Sequence, residues 1–144
     1  MLLEFDKIFS VEHVAFYNEL KEWRKEYLDN QNINECVYIL MTNKSVPRVL
    51  KSDSKGLLYI GKGLLTKNHE RIGELINSVN SGTSKQHEAG GKYQRISNKY
   101  EIEGLSLGIM LVRNLENKSR DIEEDLLIKY LNKFGELPPL NRQA

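Results

Sequence analysis

At 144 residues, 40% apolar and 28% charged, the chain is sized for one compact domain with its own core, and a second full domain is not expected. Its one cysteine, Cys36, excludes an intramolecular disulfide and a Cys-rich zinc site and fits a reducing, intracellular setting. The formal charge of +1 excludes a uniformly basic nucleic-acid coat, so the distribution of charge matters more than its sum.

Residues 1–35 hold eight acids against four bases, a balance of −4, which leaves +5 for the remainder. Within that remainder, residues 62–99 carry seven bases (Lys62, Lys67, Arg71, Lys85, Lys92, Arg95 and Lys99) against three acids. A stretch of this kind favours a polyanionic partner, although solvated faces also carry such runs. The N-terminus has acids at Glu4 and Asp6 and no long apolar run, which reads as neither a signal peptide nor a membrane span. A cytoplasmic location is the expectation.

Ser10 is placed to cap a helix running to about Asp29, with Val14, Tyr17, Leu20, Trp23 and Tyr27 recurring at helical spacing. After the turn-like DNQNIN, CVYILMT reads as a buried strand and LLYIG as its antiparallel partner. The fourteen residues between Met41 and Gly56 imply a long, mobile hairpin loop. ERIGELINSVN places Ile72, Leu75, Ile76 and Val79 on one helical face, and the polar SGTSKQHEAGGKY breaks the pattern. LSLGIMLV is a third buried strand. A last helix spans about Ser119 to Phe134, with Ile122, Leu126, Leu127, Tyr130 and Leu131 inward, and stops at Gly135. The expected fold is α+β: a small three-stranded antiparallel sheet flanked by helices, with an added N-terminal helix.

Several residues along this path could carry chemistry. Tyr38 and Tyr59 lie on paired strands and could share a face, although a strand tyrosine is most often packing. Gly61 and Gly63 permit a sharp turn, and Lys62 between them could neutralise a phosphate. The Gly-Lys-Ser/Thr pattern of a phosphate loop is absent, which argues against nucleoside triphosphate binding. Arg71, at the start of a helix, has the bidentate geometry that suits phosphate oxygens. In DIEEDLL, either Glu123 or Glu124 falls near the inward face, where one carboxylate can anchor a hard divalent cation.

In this order the motifs resemble the GIY-YIG nuclease family. Its two strand motifs are matched by Cys36-Val37-Tyr38, which lacks the glycine, and by Tyr59-Ile60-Gly61, which is intact. The family's helix arginine is matched by Arg71, its glutamate by Glu123 within Ile122-Glu123-Glu124-Asp125-Leu126-Leu127, and its proline-to-asparagine end by Pro139-Leu140-Asn141. The resemblance covers residues 34–144 as a nuclease domain and leaves residues 1–33 as a helical extension.

What the resemblance implies is hydrolysis of DNA phosphodiester bonds with one divalent metal, Mg²⁺ or Mn²⁺, held by Glu123. Tyr38 would be the general base for the attacking water, helped by Lys62 or Tyr59, because a phenol with a pKa of about 10 needs a nearby cation for that role. Arg71 would balance the charge of the pentacovalent state, and Asn141 would tie the C-terminal turn to the site. Lys67, His87, Lys92 and Arg95 are the expected nucleic-acid contacts, His87 resembling a histidine-glycine element of some family branches. Target choice would fall to the N-terminal extension, the 81–99 loop, a partner or a homodimer. The competing reading is a non-catalytic nucleic-acid-binding module.

Overall fold

A computed structural model describes residues 3–28, 33, 35–65, 70–81, 88–97, 104–113 and 118–141, without the side chains of residues 13, 14, 70, 71, 81, 88, 90, 91 and 94. The architecture is α+β. Strands β1 (Lys7–Ser10), β2 (Glu35–Met41), β3 (Leu57–Leu64) and β4 (Ser106–Leu111) form one sheet in the order β1-β4-β2-β3. Every neighbouring pair is antiparallel. Helices α1 (His13–Trp23), α2 (Glu70–Ser81), α3 (Glu88–Ile96) and α4 (Ser119–Phe134) flank it, and a π-type turn, Arg24–Leu28, extends α1.

The sheet is covered on both faces, which is why β2 reads as an unbroken apolar run. Alternation sends Cys36, Tyr38 and Leu40 into one core with residues of α1, α2 and α3, among them Phe16, Leu20, Ile72, Leu75, Ile76 and Ala89. Val37 and Ile39 go to the other side, against Leu126, Tyr130 and Phe134 of α4. Gly135 ends α4 in the left-handed conformation (φ 81°), its N–H donating to the Leu131 carbonyl at 2.8 Å.

Five expectations need correction. The sheet has four strands, because KIFS pairs with β4 and buries Phe9 while Ile8 points outward. Ser10 therefore ends a strand, the residue before α1 is Glu12, and the segment before residue 34 supplies strand as well as helix. The glycine-containing EAGGKYQRI forms α3, which packs against α2 and buries Ala89. On α4, Leu131 is 44% exposed and the inward stripe runs instead through Leu126, Tyr130 and Phe134.

The fifth correction concerns the β2–β3 loop, which is a hydrogen-bonded strap. Val46 and Asp53 form an antiparallel bridge with N–H···O distances of 2.9 and 2.7 Å. The Leu50 N–H donates to the Phe134 carbonyl at 3.0 Å, and the Arg48 side chain, 3% exposed, pairs with Glu136 at 2.6 Å. Asp53, 1% exposed, accepts from the N–H groups of Lys55 (3.0 Å) and Leu57 (2.9 Å) and from the Tyr130 hydroxyl (2.9 Å). A buried carboxylate is tolerated because each oxygen is used.

Candidate active site

Strand β3 is an edge strand, and most of the candidate residues are arranged around it. On the face toward α1, α2 and α3, Tyr38 and Tyr59 lie with ring centroids 6.1 Å apart. Gly61 is the register partner of Tyr38, and a Cβ placed on it would stand 2.7 Å from both rings. A bare backbone at this position lets the two phenols close over the strand. Tyr38 is fully buried and Tyr59 is half-buried, so of the two phenols Tyr59 has access to solvent.

Lys62 pairs in register with Val37 and so belongs to the α4 face, away from Tyr38. There it neighbours Glu123. Glu123 lies one helical turn beyond the buried Ser119, whose hydroxyl donates to Glu35 at 3.0 Å, and one turn before the buried Leu126. Half-buried, its carboxyl is raised above the usual glutamate range by burial, against an opposing pull from Lys62 and a smaller push from Glu124. Glu124 is exposed and pairs with Arg120 at 3.5 Å on the solvent side. The two adjacent glutamates therefore separate, and Glu123 is the inward one.

Asn141 occupies the outer edge of β3. Its Oδ1 accepts the Ile60 N–H at 3.0 Å and its Nδ2 donates to the Ile60 carbonyl at 2.9 Å, while the Leu140 N–H donates to Leu58 at 2.8 Å. The C-terminal segment thus covers an edge that would otherwise expose unpaired backbone groups. Beside it opens a cleft of about 490 Å³, lined by Arg48, Lys92, Arg95, Glu136, Asn141 and the two prolines Pro138 and Pro139. Arg48 is paired with Glu136, which leaves Lys92 and Arg95, three residues apart on α3, as the net positive charge of its wall.

Arg71 lies in the first turn of α2, which packs on the tyrosine face; Lys67 and His87 lie outside the described residues. Among the described residues no group of three or more histidine, cysteine, aspartate or glutamate side chains is placed to hold a metal ion. What is offered is one half-buried carboxylate, Glu123, a donor set that fits a hard cation retaining most of its waters. Cys36 is buried and its thiol is pushed up to about 12, chiefly by desolvation, so it supplies no thiolate nucleophile. Sequence reasoning missed Arg48 and Glu136 in the cleft wall, because a loop arginine after a proline carries no sign that it will be buried.

No family model, curated protein or solved structure matches the chain. Among the described residues no helix is long and apolar enough to cross a membrane.

Proposed function

We propose that the chain is a metal-dependent endonuclease of GIY-YIG type that hydrolyses DNA phosphodiester bonds. The observation that carries this reading is the pairing of Lys62 with the inward Glu123 on the α4 face of β3, with Tyr59 on the opposite face and Asn141 at the strand's edge beside a cleft walled by Lys92 and Arg95. A charged acid held half-buried within an amphipathic stripe costs stability, and such groups concentrate at functional sites.

In the proposed reaction a water oxygen attacks phosphorus, the bond from phosphorus to the 3′ oxygen breaks, and the products are a 5′ phosphate and a 3′ hydroxyl. Tyr59, the phenol with solvent access, accepts the proton of the attacking water, which requires the DNA backbone to wrap the β3 edge, because Glu123 and Lys62 lie on the opposite face of the sheet. Glu123 would hold Mg²⁺ or Mn²⁺, whose chemistry is to polarise the phosphate and stabilise the leaving oxygen. Lys62 supplies positive charge beside Glu123, and Arg71 supplies it on the tyrosine face. Lys92 and Arg95 hold the flanking backbone by its phosphates.

One observation favours a second reading. Tyr38, the residue expected to act as base, has no solvent access, which suits a module that binds nucleic acid without cutting it. Incubating supercoiled plasmid with the purified chain, with Mg²⁺ or Mn²⁺ against a chelator and with Glu123→Ala alongside, separates the two. Metal-dependent nicking that vanishes in the variant supports the nuclease. Binding by both proteins with no cutting by either hands the function to the binding module.

A further inference from the structure

Residues 43–55 of the β2–β3 loop hold four bases, Lys44, Arg48, Lys51 and Lys55, against one acid, Asp53. This cationic segment lies outside the basic stretch from residue 62 to 99. Lys51 and Lys55 meet Lys133 of α4 around a small hollow of about 110 Å³, to which Ser52, Ser54 and Phe134 also contribute. The ammonium groups of Lys51 and Lys133 converge on the Phe134 ring, at 6.0 and 5.4 Å from its centroid. A space of that size is large enough for several waters or one phosphate group.

Asp53 also borders the hollow, but its carboxylate is spent inside the fold on the Tyr130 hydroxyl and the N–H groups of Leu57 and Lys55. Three ammonium groups against one internally bonded carboxylate leave a net charge of +2. The platform is fixed by the Val46–Asp53 bridge and by the bond from the Leu50 N–H to Phe134. The backbone that carries these lysines is therefore in place before an anion arrives, and only their exposed side chains have to be ordered on binding. The hollow lies close to the larger cleft along the chain: Glu136 in the cleft wall is separated from Phe134 by Gly135, and Arg48 from Lys51 by two residues.

We infer that this loop and the end of α4 form a second phosphate-binding surface, which grips the backbone of the same DNA duplex some distance along from the cleft. The inference rests on the nuclease reading and adds to it a contact surface supplied by this chain's own loop. Lysines there act as point charges on phosphates, so they strengthen binding regardless of sequence and release counterions when the duplex docks.

The test is fluorescence anisotropy of a labelled DNA duplex with the full chain in chelator, between about 50 and about 200 mM salt, comparing wild type, Lys51→Gln/Lys133→Gln and Lys92→Gln/Arg95→Gln. The loop variant is expected to show a log–log salt slope shallower by about 1.8, or about 0.9 per lost phosphate contact, with its unfolding midpoint unchanged. A wild-type slope in the loop variant, while the wild type binds and cuts, overturns the inference and leaves the nuclease standing. Binding of inorganic phosphate that depends on Lys51 and Lys133 without any change in the duplex slope also overturns it, and reduces the hollow to a small-anion site. A loop-dependent slope in a chain that never cuts keeps the surface and removes the nuclease. No salt-dependent affinity in the wild type removes both.

Discussion

The Tyr130 hydroxyl donates a 2.9 Å hydrogen bond to the Asp53 carboxylate and so joins α4 to the β2–β3 strap inside the fold. Both residues are buried, and the carboxylate also satisfies two loop N–H groups. Tyr130→Phe should therefore cost about 1.5–3 kcal/mol, the range for a bond to a charged group, seen as a lower urea midpoint at constant slope. Asp53→Ala should cost more, because it strands the Leu57 N–H as well as the Tyr130 hydroxyl. Burial and the adjacent Asp53 raise the Tyr130 hydroxyl well above the ordinary tyrosine range, so the fold favours its neutral form. The unfolded chain then binds fewer protons above pH about 10, and stability that is complete below that pH declines as it rises. Tyr130→Phe should remove much of that alkaline decline, leaving the shares due to Tyr93, whose hydroxyl burial also raises, and to Cys36, whose thiol burial pushes up to about 12.

Glu123 behaves in the opposite sense from a structural carboxylate. Its raised folded-state value means that the fold favours the protonated form, so its contribution is present in acid and is lost as pH rises through the carboxylate range. At neutral pH, Glu123→Gln should raise the unfolding midpoint while lowering cleavage by at least about 100-fold. Mg²⁺ should raise the midpoint of the wild type through binding to the folded state and leave that of Glu123→Gln unchanged. Glu124→Gln should do neither, since it loses only an exposed pair worth about 0.3–0.5 kcal/mol. Thermal unfolding with and without Mg²⁺, run beside a plasmid assay, reads all three expectations; a Mg²⁺-induced shift of the same size in wild type and Glu123→Gln would count against a metal at this position.

The parts of this architecture that were legible in the sequence are those where a local pattern agrees with the final burial. The apolar runs of β2 and β3, the helical spacing of α2 and the Gly135 stop of α4 each match what surrounds them. KIFS in β1 buries one large side chain and leaves Ile8 outside, too little alternation to signal a strand without β4 beside it. The α3 sequence carries two glycines and forms a helix because α2 packs against it. The same division runs through the candidate site. The stripe through Leu126 and Tyr130 indicates an inward glutamate, but only the packed helix separates Glu123 from Glu124. The strap depends on Asp53, Tyr130, Arg48 and Glu136 meeting across more than seventy residues, which no local pattern encodes.

Gly61 sits where two rings close over a strand, and a methyl group there would stand 2.7 Å from each. Tyr38 is fully buried and has no room to yield, so the clash must be relieved by backbone shift or by expelling Tyr59. Gly61→Ala should destabilise by about 1–3 kcal/mol, the usual cost of overpacking a core. It should also depress cleavage beyond what the loss of folded protein explains, because Tyr59 is the phenol proposed to face the water. Near-ultraviolet circular dichroism of the tyrosines and single-turnover cleavage, both at a temperature where the variant is folded, would check this; wild-type values in both would show that the close approach is unimportant.

Asn141 binds β3 as a strand would, one side chain satisfying both backbone groups of Ile60. Asn141→Ala should release the C-terminal turn from the edge and cost about 1–2 kcal/mol, from two hydrogen bonds at about 1 kcal/mol each. Asn141→Asp keeps the acceptor for the Ile60 N–H but sets a carboxylate against the Ile60 carbonyl, so it should be no better than alanine. Because Ile60 lies between Tyr59 and Gly61, loosening this edge should widen the cleft and disturb the tyrosine face together. Hydrogen exchange provides the local readout: the Ile60 amide should exchange faster in both variants, while amides in the middle of β2 keep their protection until global unfolding. If the Ile60 amide exchanged at the wild-type rate in Asn141→Ala, the C-terminal turn would be held by the Leu140 bond alone, and the link between Asn141 and the site would be lost.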